Sequence, residues 1–134
     1  MKIHFREGWS SLIFLLFIVL SVAWSLDAAR WAEGMTLVPW AAILGLLLGV
    51  FSARSSLPGW FSHVSALIHG AFWMAFLAGS LLPAVLTWHE RVEQIRYRYW
   101  MWLGNAFRGN TNTDNLIFLM EVLLVLFLIG YAAA

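Results

Sequence analysis

Apolar positions in this chain come in long blocks rather than in alternation. From Leu12 to Trp24 only Ser21 interrupts the run, and from Pro39 to Phe51 there is no charge at all. A third block, about residues 60 to 86, is diluted in its first half by Ser62, His63, Ser65 and His69, and a fourth runs from Leu116 to Ala134 with Glu121 as its one charge. Blocks of this length are near the ~20 apolar residues that a helix needs to cross hydrocarbon. They predict helices over about 9–28, 35–53, 60–86 and 115–134. The first block, behind Lys2 and Arg6, also has the shape of a signal peptide; it is read here as helix 1. Pro39 falls in the first turns of helix 2, where a missing N–H costs little. Ser55-Ser56-Leu57-Pro58-Gly59 predicts a turn, where Pro sets the backbone angle and Gly allows a positive one, and Pro83 predicts a kink or an early stop in helix 3.

Residues 88–108 have a different pattern. Trp88, Val92, Ile95, Tyr99, Trp102 and Ala106 recur at spacings of four and three, which is one face of a helix. Glu90, Arg91, Glu93, Gln94, Arg96 and Arg98 fill the remainder. Such a helix is too polar to span and is suited to lying along a membrane surface. Thr113 or Asp114 is placed to cap the helix that follows. The expected fold is therefore all-α: an integral membrane bundle of four transmembrane helices, with one amphipathic interfacial helix between helices 3 and 4, in a single module over 1–134.

Within helix 2, Ala41, Gly45 and Gly49 recur every fourth residue and line up along one side. Small residues at that spacing let a second backbone approach closely. Ala71, Ala75 and Gly79 repeat the pattern in helix 3, so the two stripes are expected to pack against each other.

Composition supports lipid as the solvent. Hydrophobic residues make up 62% of the chain and charged residues 11%, against about 25% charged in a soluble domain. A net charge of +1 and the lack of a basic run interleaved with aromatics give no reason to expect nucleic acid as a partner. Cysteine is absent, which removes disulfides, thiolate metal sites and a cysteine nucleophile from this chain. Of the nine tryptophans, Trp9, Trp24, Trp31, Trp40, Trp60 and Trp88 fall near predicted helix ends, as an aromatic belt requires. Trp73 is the exception and is expected to serve packing or a cofactor contact.

Three features carry possible chemistry. Glu121 is an acid inside an apolar run, where a carboxylate costs about 2.5–3.5 kcal/mol unless it is protonated, paired or near water. It is either a proton or ion relay, a contact for a partner's base, or a residue that snorkels or bonds a neighbouring helix. His69 has Ser65 four residues before it, leaving room for a porphyrin ring, so an axial contact to haem or pigment is conceivable; a bond across helices is the plainer reading. No cofactor is otherwise expected. His63 and His69, six apart, do not share a face. His89-Glu90-Arg91-Val92-Glu93 lacks the second histidine of a zinc-protease motif.

Several stretches taken together resemble a known family. Arg6-Glu7-Gly8-Trp9 opens the chain, Leu20-Ser21-Val22-Ala23-Trp24-Ser25 closes helix 1, and Leu57-Pro58-Gly59-Trp60 makes the second turn. Trp88-His89-Glu90-Arg91-Val92 follows helix 3, and Asp114-Asn115-Leu116-Ile117-Phe118 opens helix 4. These are similar to the N-terminal membrane region of bacterial transglutaminase-like membrane proteins, over nearly the whole chain. The resemblance implies a longer protein with further membrane helices and an extracytoplasmic papain-like domain bearing a Cys-His-Asp triad. None of that triad maps here, so the resemblance implies an anchoring role in the inner membrane of a bacterium and no catalysis. Glu121 is more polar than this family leads one to expect at that place.

A different reading is an accessory transmembrane subunit of a photosynthetic or respiratory complex, packed against larger subunits. The apolar sequence up to Ala134, with no polar flank, fits either reading and suggests that the chain continues. Lys2, Arg6 and Arg54 favour an inside N-terminus, while Arg91, Arg96, Arg98 and Arg108 then lie outside, against the positive-inside trend. The expected orientation is N-terminus inside.

Overall fold

The computed structural model describes residues 8–134, and every regular element among them is helical. In chain order these are α1 (Gly8–Ala29), α2 (Val38–Arg54), α3 (Gly59–Ser80), α4 (Trp88–Phe107) and α5 (Asn115–Ala133), with a single 3-10 turn, Met35–Leu37, leading into α2. Helices α1, α3 and α5, and α2 together with its 3-10 turn, are long and apolar enough to cross a membrane; α4 is not among them. The basic start, Lys2 and Arg6, lies outside the described residues.

The bundle is organised around α2 and α5, not around α2 and α3. The stripe on α2 does admit a backbone, but it is that of α5. A Cβ on Gly45 would lie 2.0 Å from the Phe127 carbonyl oxygen, and one on Gly49 would lie 2.5 Å from that of Tyr131. Gly130 answers from α5, where a Cβ would stand 2.4 Å from the Ala42 carbonyl oxygen. The pairing advances along both helices together, so α2 and α5 run side by side in the same direction. Ala41, Ala42, Leu46, Leu123, Leu126 and Phe127 are buried along this seam. Helix α5 also touches α1, α3 and α4, which makes it the centre of the bundle.

The expected partner stripe on α3 is corrected by the same geometry. Ala71 is exposed and Ala75 only half-buried. Gly79 is buried, but against Trp88 and Ile95 of α4. The stripe that α3 turns inward lies one position earlier: Ser62, Ala66, Gly70, Met74 and Ala78. Gly70 makes room for the Phe127 ring, whose atoms lie 2.3 Å from where a Cβ would sit. Both registers contain small residues at every fourth position, and the pattern alone does not choose between them.

Local chemistry accounts for the helix ends. Pro39 sits in the first turn of α2, as expected. Gly34 precedes that turn in the left-handed region, φ 86°, which favours glycine, and the ends of the Leu81 and Leu119 side chains pack against it. The expected turn lies between α2 and α3, and Gly59 opens α3 without using the positive φ that glycine allows. Helix α3 stops at Ser80, three residues ahead of Pro83, and not at 86. Arg91 fastens the turn that results. Its guanidinium donates to the carbonyls of Leu86 (3.1 Å), Gly79 (3.2 Å) and Pro83 (3.2 Å) and sits 4.9 Å from the Trp88 ring centre. It thereby adds a second donor to the Gly79 carbonyl, which also accepts from the Leu82 N–H at the end of α3.

Helix α4 carries caps at both ends, as a helix exposed to water needs. The Thr87 hydroxyl accepts from the Glu90 N–H, and the Glu90 carboxylate accepts from the Thr87 N–H at 2.7 Å, a capping box. At the other end Gly109 is left-handed, φ 69°, with Asn110 N–H donating to the Asn105 carbonyl and Gly109 N–H to that of Ala106. This is the Schellman arrangement. Asp114, and not Thr113, caps α5 by accepting from the N–H groups of Leu116 and Ile117. Arg98 reaches Asp114 at 3.5 Å and Asn112 donates to the Trp102 carbonyl, so α4 runs from the end of α3 to the start of α5. Of the apolar face expected on α4, Ile95 is buried and Trp102 half-buried, whereas Trp88, Val92 and Tyr99 remain exposed.

The capping box makes α4 sensitive to acid. The backbone N–H of Thr87, and next its hydroxyl, hold the Glu90 carboxyl below the usual carboxylate range. Because the folded value lies below the unfolded one, the stabilisation is present above the ordinary carboxylate pKa. It is lost as pH falls through the lowered value. Protection of the Glu90 and Arg91 amides from hydrogen exchange, measured relative to the intrinsic rate at each pH, should therefore fall on acidification. A Glu90→Gln variant, which keeps an acceptor but does not titrate, should show no such step.

Candidate functional site

Glu121 stands on the seventh residue of α5, about 9 Å along the axis from its start at 1.5 Å per residue. Its side chain is half-buried and lines a groove of about 580 Å³ between α3, α4 and α5. Helix α3 contributes Ala71, Met74 and Ala75, the first and last of these being the small residues left over from α2. Helix α5 contributes Met120 and Leu124 beside Glu121, and α4 contributes Val92, Ile95, Arg96, Tyr99 and Trp100. Among the described residues no hydrogen bond or ion pair reaches the Glu121 carboxylate. Arg96, the cation on the same groove, is engaged by Glu93 at 2.6 Å. The groove thus joins apolar walls, two aromatic rings and one carboxylate without a partner in the chain.

His69 lies near the middle of α3, with its side chain exposed. Its Nδ1–H donates to the Ser65 carbonyl at 2.7 Å. That bond selects the tautomer whose Nε2 carries the lone pair, the form in which histidine binds a metal. An aromatic row flanks it: Phe72 lies edge-on to Trp73, Trp73 edge-on to Phe76, and Phe76 stacks on Trp88 at 4.7 Å. Trp73, at 39% exposed, belongs to this outward row and is not packed in the core. His69 and Glu121 do not meet. Among the described residues no three His, Asp or Glu side chains gather into a metal-binding group.

A polar chain of four residues forms where α2 ends, α3 begins and α5 ends. His63 Nδ1 hydrogen-bonds the Tyr131 hydroxyl, which donates to Ser52 Oγ at 3.2 Å, and Ser52 Oγ bonds Ser62 Oγ at 2.7 Å. The sequence pattern singles out His63 but not its partners. What could have located them is position: Ser52 and Ser62 flank one turn, and Tyr131 is the polar-tipped residue on α5 at the same level. The cluster ties three helices together, with His63 Nδ1, the Tyr131 hydroxyl and both serine hydroxyls bonded to one another. Compared with protein-family models, with curated proteins and with solved structures, the chain matches none.

Proposed function

We propose that this chain is a membrane-anchoring and scaffolding module of the bacterial inner membrane, without catalysis of its own. In this reading α1, α2, α3 and α5 cross the bilayer, α4 lies along one surface, and the N-terminus is inside. The observation that carries the reading is where the apolar side chains point. Ile13, Phe14, Phe17 and Ile18 on α1, Leu47 on α2, Leu67, Ile68 and Phe72 on α3, and Val125 and Ile129 on α5 all face outward. A water-soluble fold rarely exposes a contiguous apolar surface beyond a few hundred Å², whereas lipid tails solvate one without cost. The charged side chains of the described residues sit mainly at helix ends and on α4, where headgroups would be. The likeness to the membrane region of transglutaminase-like proteins supports the anchoring role and a larger parent protein.

Cysteine accessibility in intact cells tests insertion and orientation together. A Thr111→Cys protein is expected to label with an impermeant maleimide from outside, and a Ser55→Cys protein only after the cells are opened. The reverse pattern overturns the orientation, and a chain recovered from cells as a monodisperse soluble species without detergent overturns the membrane reading. An intact mass near 15.2 kDa would end the larger-parent reading.

His69 gives one specific ground for a second reading, an accessory subunit that touches a pigment or haem. Its lone-pair nitrogen faces out at mid-helix beside an aromatic row. A visible absorption spectrum of the native protein decides: a Soret or chlorin band that is lost in His69→Ala supports it, and a featureless spectrum removes it.

A further inference from the structure

We infer that the groove between α3, α4 and α5 binds a long-chain primary amine, with the tail between α3 and α5 and the ammonium on Glu121. This goes beyond the anchoring role and rests only on the membrane insertion that reading includes; the test below needs no partner protein.

Three observations converge on this class of ligand. First, the walls are apolar. Ala71 and Ala75 recess one side, and Leu124 and Ile95 face the space between. Second, the groove holds one acid with no partner. A carboxylate with apolar walls around it gains most from a cationic N–H donor, because a charge-assisted hydrogen bond there is about twice as strong as a neutral one. The guanidinium of Arg96 lines the same groove but makes no bond to Glu121; it forms an exposed pair with Glu93 at 2.6 Å. Third, the groove holds about 580 Å³, ample for an extended hydrocarbon chain. Tyr99 and Trp100 stand at the same groove, where an aromatic face attracts an ammonium ion.

The experiment uses the full chain in nanodiscs of phosphatidylcholine, whose headgroup has no N–H donor. The probe is a bromine-labelled hexadecylamine, read by quenching of tryptophan fluorescence. The amine is expected to quench saturably, with the saturable part missing in a Trp100→Phe protein. The matched alcohol and the matched trimethylammonium compound should each need about tenfold more probe for half-saturation, a difference of 1.4 kcal/mol. Glu121→Gln should raise the half-saturation of the amine by a similar factor and bring it level with the alcohol. The headgroup series on the unaltered protein decides the matter even if that variant does not fold. Quenching that never saturates, an amine and an alcohol that saturate alike, or a folded Glu121→Gln protein that binds the amine unchanged would each overturn the assignment.

Discussion

Gly45→Ala is expected to destabilise the bundle by about 3 kcal/mol, the upper end of the usual overpacking cost. The reason is that the added carbon meets backbone. It would stand 2.0 Å from the Phe127 carbonyl oxygen and 2.8 Å from the carbonyl carbon. A side chain could rotate away, but a carbonyl inside α5 cannot move without moving the helix. The two helices must therefore part along the whole seam, which also loosens the contacts of Gly49 and Gly130. Gly104 supplies the control. It lies in α4 with nothing within 4 Å of its Cβ position, so alanine there should stabilise by about 0.5–1 kcal/mol through the entropy of the unfolded chain. Denaturation of the purified variants in detergent, followed by circular dichroism, measures both. If Gly45→Ala falls within about half a kcal/mol of the parent protein, the α2–α5 seam is not as close as described.

Phe127 gives the second large effect. Its side chain is fully buried, its ring stacks on Tyr131 at 6.3 Å, and its edge fills the space left by Gly70. In a water-soluble core Phe→Ala costs about 3–5 kcal/mol, partly for moving apolar surface out of water. Where lipid is the solvent, that transfer contributes little, because the unpacked ring goes to hydrocarbon instead of water. What remains is the cavity, and the expected cost is about 2 kcal/mol. Gly70→Ala should clash with the same ring and cost a similar amount. A smaller residue opposite it should relieve the clash, so Gly70→Ala combined with Phe127→Leu should be more stable than the sum of the two single changes, by about 1–3 kcal/mol. Strict additivity would show that the two residues do not meet.

Much of the architecture was legible because length and polarity are properties of segments. Four unbroken apolar blocks gave the four long apolar helices, and the mixture of Arg, Glu and aromatics in 88–108 marked α4 as different. The Asp114 cap was readable because a short acceptor stood just ahead of an apolar run. Pairing was not readable in the same way. A stripe of small residues says that some backbone comes close, and Gly45 and Gly49 were assigned that role correctly. It does not say whose backbone. Helix α3 has two overlapping stripes, Ala66-Gly70 and Ala71-Ala75, and the choice between them depends on Phe127, 57 residues after Gly70. The end of α3 was misplaced for a local reason: Leu81 and Leu82 look helical, and the cross-element cap by Arg91 that allows an early stop is invisible until α4 is in place. Glu121 stood out at once as a lone acid. That it shares a groove with Tyr99 and Trp100 follows only from the path of α4 back across the bundle.

The central place of α5 has a consequence for how the protein is made. The groove on α2 leaves the ribosome roughly eighty residues before the segment that fills it, an interval of about 4–16 s at about 5–20 residues per second. During that time α2 has its permanent neighbour missing and its glycines open to any other apolar helix nearby. Nascent chains stalled before Phe127 should therefore be degraded or captured far more readily than those stalled a few residues later.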